Sequence, residues 1–559
     1  MEEKSSKPDE AEMKQIEAKT GIDLDTILLE DIGQFGWFQL RTVALCALAV
    51  IFSGIASSEF VFTTARINTR CLIPECESGE QTNEFSPSWI TNAVPPSGTS
   101  FNNCRRFANV SADIFANATC SATLFDSNHI VGCEEFVYEN TDSVVYTFGL
   151  ACQEWERSLI GSVRKIGTLI ALPITGYASD RWGRQTALAV NALIRASLGL
   201  TRSWVNTYVS FTVLQFLESA FGSGVFTSAY ILVMELVGPR IRVVGGASIN
   251  TFFSVGNVYT GLVAWAVHDW RQLTQVLYGP MLITSFSLWL VPESVRWHMS
   301  KGRYKDAEGV LKTAARFNGT RLSEKSLEAL SKAINEEKRK KALKTVEKPN
   351  EPCLMYKVIR NKYVLIRCIV SPVWWMTYTF VYFGLSVNAV NISGNRYLNY
   401  VAVSAVEIPG YWTSMFLLDR IGRKPVLISA FWICAICQAT YIFLPPGYYG
   451  ISLTVYLIGQ FAIAMVTAAV YVYTAELYPT RHRHSLLGFS SMVGRIGSVL
   501  APLTPAMGQS TFEELPFVLF GSFALISGCL VFITPETLGA KFPDTMEEAS
   551  DIGQKRDAE

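Results

Sequence analysis

Two short stretches, "GYASDRWGRQ" (176–185) and "LLDRIGRKP" (417–425), each set one aspartate and two arginines around a glycine between long apolar runs. A charged turn of this kind between apolar segments fits a short loop joining two membrane-crossing helices. The apolar runs on either side are about 20 residues long, the length a helix needs to cross a bilayer. Composition agrees. The 559 residues have a mean hydropathy of +0.23, with only 17% charged and 12% aromatic side chains. A soluble chain of this length ordinarily carries more charge. Formal net charge is zero, so composition gives no reason to expect a nucleic-acid partner.

Twelve spans are expected, near 42–65, 156–178, 186–201, 206–234, 244–266, 273–291, 364–386, 397–418, 426–444, 450–475, 486–507 and 514–534. The segment 1–41 begins with a charged stretch that lacks the pattern of a cleaved signal peptide. Basic residues mark one set of connections: Arg181 and Arg184, Arg240 and Arg242, Arg420, Arg423 and Lys424, and Arg481 and Arg483. The central loop 296–363 adds 18 Lys/Arg against 8 Asp/Glu. The short connections on the other side are nearly free of basic charge, with Arg202, Arg271 and Arg396 as lone cases. The basic side is therefore expected to be cytosolic, with both termini on it.

The repeat extends beyond the charged turns. Asp180 is followed 55 residues later by Glu235 ("MELVGPRIR"), and Asp419 57 residues later by Glu476 ("AELYPTRHR"). Glu235 precedes Pro292 ("VPES") by 57 residues, and Glu476 precedes Pro535 ("TPET") by 59. Three landmarks in the same order at nearly the same spacing indicate a duplication. The expected architecture is all-α. Two six-helix halves, 42–291 and 364–534, are joined by a cytosolic loop, 292–363, and followed by a tail, 535–559. A parallel repeat of this kind suits a carrier whose site lies between its halves. The charged turns, with Asp180, Arg181, Arg184, Glu235 and Arg242 in one half and Asp419, Arg420, Arg423, Glu476 and Arg483 in the other, are candidate gating elements. In each turn the aspartate either receives helix N-terminal amides or pairs with an arginine.

One outer loop, 66–155, is large and holds six of the twelve cysteines, Cys71, Cys76, Cys104, Cys120, Cys133 and Cys152. It also carries sequons at Asn109 and Asn117. An even cysteine count in an extracellular insert implies three disulfides, with 15 pairings open. The sequon at Asn318 falls in the cytosolic loop and is expected to be silent.

"LEDIGQFGWFQLR" (29–41), the six-cysteine loop, "PESVRWHMSKGR" (292–303), "AELYPTRHR" and "TPETLGAKFPDTMEE" (534–548) together resemble the organic cation/organic anion/carnitine transporter family of the major facilitator superfamily. The resemblance runs over nearly the whole chain. Sugar porters share the charged turns but lack the cysteine loop and have a Gln/Asn-rich seventh helix; here that helix reads "SPVWWMTYTFVYFGL". The resemblance implies the major facilitator fold and the disulfides Cys71–Cys133, Cys76–Cys120 and Cys104–Cys152. It also places Arg495 where anion and carnitine members carry arginine and cation-preferring members an acid. Trp375, Tyr382, Asn250 and Phe253 fall on the family's cavity positions, and Glu407 on a family acid.

The residues themselves support a substrate site. Charge within a span is costly, so each case asks for a partner or a function. Arg495 shares a helix face with Ser491 and Ser498, and its guanidinium fork suits a carboxylate or sulfonate; the alternative is a structural ion pair. Trp375, Tyr378 and Tyr382 form an aromatic stripe able to stack on an organic ion or meet an ammonium. Glu407 lies two residues before Pro409 and can meet an ammonium, balance Arg495 or carry a proton. Arg164 and Lys165 are adjacent, so by helical geometry only one should face a given cavity. Asn250, Phe253 and Asn257 share a face, whereas Glu59 and Glu218 read as structural acids. No metal cluster, nucleotide loop or nucleophile–base set is present: "GSG" at 222–224 lies inside a span, so no cofactor and no enzyme activity are expected. The expected function is alternating-access transport of a small organic ion, an anion or zwitterion, across the plasma membrane. A cation carrier or a non-transporting sensor on the same fold is the alternative. The partners are then the substrate and the bilayer, with sodium or proton coupling left open by the sequence.

Overall fold

A computed structural model describes residues 27–552, apart from 29–30, 34, 78–83, 98–99, 111–119, 239–240, 325, 329–330, 333–353, 446, 481, 540–542 and 544–545. Each expected span contains a helix. The first half comprises α1 (Trp37–Thr63), α2 (Glu154–Trp182), α3 (Arg184–Arg202), α4 (Tyr208–Leu236, in two pieces that meet at Ser223), α5 (Arg242–Ala266) and α6 (Trp270–Leu290). The second comprises α7 (Lys362–Asn388), α8 (Arg396–Ile421), α9 (Arg423–Ile442), α10 (Tyr449–Leu477), α11 (Arg483–Leu500) and α12 (Leu515–Val531). Nine helices among the described residues are long and apolar enough to cross a membrane; α12 is apolar but shorter. Charged Arg195 and Arg202 lower the hydropathy of α3, and the glycine-, serine- and asparagine-rich start of α5 does the same there.

Within each half the equivalent helices pack together, α1 on α5 and α7 on α11. Gly54 and Gly256 face the backbone of the opposing helix in the first pair, Gly494 and Gly497 in the second. Small residues at these crossings let the helix axes approach closely, which is how membrane helices associate where lipid removes the hydrophobic drive. Two seams join the halves, α2 against α11 and α5 against α8. The two charged turns share a backbone conformation: Gly183 and Gly422 both have φ of +111° and both precede the first residue of a helix. That region of backbone space is open to glycine and strained for other residues.

The outer loop folds as three two-stranded antiparallel ribbons: Thr69–Cys71 with Phe136–Tyr138, Pro96–Ser97 with Ser100–Phe101, and Arg105–Asn109 with Phe125–Gly132. Its small core gathers Ile73, Ile90, Val94 and Phe125 around buried cysteines, beside a buried Arg70–Glu77 pair at 2.5 Å. The pairing is Cys71–Cys133, Cys76–Cys120 and Cys104–Cys152, as the family resemblance implies. Peptide mapping of unreduced protein should therefore recover these three cross-links and no others within residues 66–155; a peptide joining Cys71 to Cys76 would contradict this fold. Asn109 ends a strand and its amide nitrogen donates to Glu75. Asn117 lies outside the described residues.

On the basic side, the helix Tyr304–Asn318 packs against the start of α1. Asn318 accepts from the Phe38 amide at 2.9 Å and donates to the Ile32 carbonyl at 3.1 Å and to Gln39 at 2.9 Å. The sequon asparagine is thus an internal clamp between the central loop and the first helix.

Candidate functional site

A cavity of about 670 Å³ lies between the halves, with walls from α1, α2, α3, α4, α5, α7, α8, α10 and α11. One end reaches Asp180, Arg184 and Glu235, on the side of the basic loops. The other end is shut. Phe62 stacks on Tyr397 at 5.7 Å and meets Tyr400 edge-on at 4.9 Å. Arg396 pairs with Asp142 of the outer loop at 3.6 Å, and Ser162 donates to the Val499 carbonyl at 2.8 Å. The chain is therefore caught open toward one side only.

Arg495 projects from α11 into this cavity. Its buried Nε has no hydrogen-bond partner among the described residues, and the buried acids Glu59, Glu218 and Glu407 are engaged elsewhere. Ser498 lines the cavity too, but its hydroxyl donates to the Arg495 carbonyl at 2.7 Å and does not orient the guanidinium. Lys165 faces the cavity from α2, its ammonium 3.3 Å from the ring centroid of Phe383.

Arg164 lines the cavity as well, which corrects the expectation that only one of the two neighbours could. Their helical positions diverge, but long stems carry both heads to the same space. Arg164 turns toward α1, donating to the carbonyls of Ala56 and Ser57, and stands 3.8 Å from Glu218.

Tyr378, Tyr382, Asn250 and Phe253 line the wall, as expected. Trp375 and Glu407 do not. Trp375 is fully buried behind the wall, bonded through its indole to Thr474 at 3.1 Å and packed edge-on against Tyr471 at 4.5 Å and Tyr378 at 5.5 Å. Glu407 is likewise buried, and accepts from Ser254, from Tyr382 at 2.8 Å and from Gln460 at 2.9 Å. Its link to Ser254 of α5 spans the seam between the halves, and Tyr382 carries its influence to the cavity surface. It does not balance Arg495 through any ion pair among the described residues. Asn257 stands beside a separate small void next to Ser57 and Tyr382.

The structural reading of Glu59 and Glu218 holds, and their partners were missed in the sequence. Arg202, counted there as an outer-loop charge, ends α3 fully buried between Glu218 at 2.5 Å and Glu59 at 2.7 Å. Tyr278 donates to Glu218 at 2.7 Å and Thr274 to Glu59 at 2.9 Å. Arg195 joins at 3.7 Å from Glu218 and bonds Ser53 at 3.2 Å. The signal for Arg195 was in plain sight, since it lies inside a predicted span where any charge demands a partner.

The gating candidates form two matching clusters. Arg184 pairs with Asp180 at 2.7 Å and Glu235 at 3.6 Å; Arg423 pairs with Asp419 and Glu476, both at 3.1 Å. Of the two roles open to the aspartates, they take the arginine. The helix N-terminal amides go instead to acids that the sequence reading passed over. Glu293 accepts from the amides of Arg184 at 2.9 Å and Gln185 at 3.2 Å, and Glu536 from Arg423 at 3.0 Å and Lys424 at 2.9 Å. These are the acids of "PES" and "PET", and a carboxylate at a helix N-terminus is favourable. Burial pushes the Glu293 carboxyl above its ordinary range even though these amides work the other way. Each of these contacts lies within one half or between it and the segment that follows it. Arg420 lies over Phe416, Arg483 bonds Thr480 at 3.2 Å, and Arg181 is exposed. The side chain of Arg242 is outside the described residues.

The family model for the Major Facilitator Superfamily matches residues 154–502 and 398–556. An organic cation transporter protein of Drosophila melanogaster is 30% identical over 537 residues, covering 94% of this chain and 95% of its own. Organic cation/carnitine transporter 2 of Rattus norvegicus is 28% identical over 540 residues, covering 92% of each chain. Among solved structures, the inward-open xylose transporter XylE from E. coli aligns with a TM-score of 0.59 at 15% identity, covering 92% of this chain and all of that one, a likeness of fold. The two-half bundle, the cavity at its seam and these relatives lead to one conclusion: the chain is a membrane transporter of the major facilitator superfamily and belongs to its organic cation, organic anion and carnitine transporter family.

Proposed function

We infer that the chain carries small organic anions, or zwitterions bearing a carboxylate, across the plasma membrane by alternating access through twelve crossings, with both termini in the cytosol. The observation that carries the reading is Arg495, a guanidinium facing the cavity and paired with no acid among the described residues. A guanidinium offers paired, coplanar donors that match a carboxylate, and desolvation in the cavity strengthens the contact. Tyr378, Tyr382 and Phe253 supply aromatic faces for the organic body or for an ammonium. Carnitine, named for the rat relative, unites a carboxylate and a quaternary ammonium. A cation reading draws on the relatives named as organic cation transporters and on the buried acid Glu407, which no cation pairs among the described residues. Uptake by cells displaying the full chain separates the two: a labelled carboxylate or carnitine should accumulate with time and saturate, at rates above those of tetraethylammonium. Saturable uptake of tetraethylammonium alone would return the cation reading to the front.

The two charged clusters are proposed to gate the cytosolic side. In the state seen here each cluster is paired internally. Closing that side brings them together, so their charges have a role in only one of two states. Asp180 and Asp419 have side chains 71% and 68% exposed, so their pairs add little to stability here. Asp180→Asn and Asp419→Asn should each slow turnover roughly fivefold or more while surface amounts stay near parent. Parent turnover at matched surface amounts in both variants would refute the gating role.

A further inference from the structure

Four acids are buried among the described residues: Glu59, Glu77, Glu218 and Glu407. Three of them touch an arginine. Glu77 meets Arg70 at 2.5 Å, Glu59 meets Arg202 at 2.7 Å and Glu218 meets Arg202 at 2.5 Å. Glu407 makes no ion pair among the described residues. Its Oε1 accepts from Gln460 of α10, and its Oε2 from Tyr382 of α7 and Ser254 of α5, all neutral donors. Tyr400 and Tyr411 of its own helix stand close by. Of the cavity cations, Arg164 turns to Glu218 and Lys165 rests on Phe383. Arg495 pairs with no acid among the described residues. The charged residues of α9, Arg423 and Lys424, lie at the cytosolic turn. A carboxylate sealed in a helix bundle without a counter-charge is relieved by taking up a proton.

Two of the donors give that proton a route and a consequence. Tyr382 lines the cavity, and its hydroxyl lies 2.8 Å from Oε2. The tyrosine passes its hydrogen to Oε2 as its own oxygen receives one from water in the open cavity. The phenol ends neutral and the carboxyl has gained one proton. Ser254 belongs to the other half, and its bond to Glu407 crosses the α5–α8 seam. A hydrogen bond to a carboxylate is roughly twice as strong as one between neutral groups. Protonation therefore loosens a buried tie between two halves that rock against each other.

We propose that Glu407 is a proton-binding site and that the carrier is proton-linked. The acid exchanges its proton, through Tyr382, with whichever side the cavity faces, and the proton crosses with the change of side. The sign of the coupling follows the charge of the substrate, so it holds under either substrate reading. A proton on Glu407 removes a negative charge beside the cavity. An anion then travels with the proton, whereas a cation competes with it and exchanges against it.

The test uses the purified full-length chain in proteoliposomes, with the membrane potential clamped at zero by potassium and valinomycin. Labelled glutarate and tetraethylammonium are the probes, and protein-free vesicles give the background. With the medium about one pH unit more acidic than the lumen, glutarate should accumulate roughly threefold or more, against a ceiling of about tenfold for one proton per substrate. Tetraethylammonium, if it is the probe carried, should accumulate under the opposite gradient. Glu407→Gln keeps the size and an acceptor oxygen but takes up no proton. Its gradient-driven accumulation should vanish while counterflow at equal pH persists; a merely structural role would lower both together. A parent that carries either probe without responding to the gradient would overturn the proposal, as would a gradient response that survives in Glu407→Gln. Independently of any transported probe or variant, dicyclohexylcarbodiimide, an apolar reagent that attacks protonated carboxyls, should mark Glu407 in the parent faster in acid than in alkaline medium. A Glu407 peptide left unmarked in both media would also overturn it.

Discussion

Arg495→Asp should abolish uptake of carboxylates. The substitution places a carboxylate on α11 where the cavity presents a guanidinium, so a substrate anion meets repulsion in place of a paired contact. Truncating one side of a desolvated charge-assisted contact costs about 2–5 kcal/mol, so even a neutral replacement should weaken binding roughly thirty-fold or more. Arg495→Lys keeps the charge but loses the planar fork and should recover only part of the affinity. The aspartate form gains a counter-charge for ammonium groups close to Tyr378 and Tyr382, and tetraethylammonium should enter it better than it enters the parent. Uptake of a carboxylate and of tetraethylammonium by parent, Lys and Asp forms, at matched surface amounts, reads this directly. Unchanged selectivity across the three would make Arg495 a structural residue.

A second large effect is expected where no substrate reaches. Arg202 is fully buried and holds Glu59 of α1 and Glu218 of α4 from the end of α3. Arg202→Met removes the centre of the cluster, leaving Glu59 without a cation among the described residues and Glu218 with only the longer contacts to Arg164 and Arg195. Breaking a buried pair by deleting one partner typically costs about 3–5 kcal/mol, because the remaining charge stays buried and unpaired. The variant should melt well below the parent in detergent and reach the surface poorly. Arg202→Lys retains the charge but cannot reach both acids with one fork, so its melting point should fall between. Pairing Arg202→Met with Glu59→Gln removes the stranded carboxylate, while Arg164 and Arg195 keep Glu218 as their acid, and should recover part of the loss. Parent-like melting of Arg202→Met would mean the cluster does not hold these helices together.

The fold was legible because its governing constraints are written locally. Bilayer thickness fixes the length of the apolar runs, and the doubled landmarks at Asp180 and Asp419, Glu235 and Glu476, and Pro292 and Pro535 carry the duplication. The cysteine pairing came from resemblance, since six cysteines constrain nothing about partners by themselves. Of the candidate site residues, Arg495, Tyr378, Tyr382, Asn250 and Phe253 stand at the cavity wall, each reaching it from its own helix. Roles that depend on a second helix were not legible. Trp375 lies on the same stripe as Tyr378, yet Thr474 and Tyr471 of α10 draw it behind the wall. Glu407 is drawn inward by Ser254 and Gln460, residues 153 and 53 positions away in the chain. Arg202 was read as a loop charge because one sequence cannot say that two distant acids surround the end of α3. Glu293 and Glu536 escaped notice because their partners are backbone amides, which leave no mark in the sequence.

The central claim, that one cavity opened alternately to the two sides takes an anion at Arg495, meets its most direct test in counterflow. Proteoliposomes containing the purified chain are loaded with an excess of unlabelled glutarate and diluted into a trace of labelled glutarate. The label should rise transiently above its equilibrium level inside, and the overshoot should vanish in Arg495→Asp. An overshoot that persists in Arg495→Asp, or that arises with tetraethylammonium and not with glutarate in the parent, would contradict it.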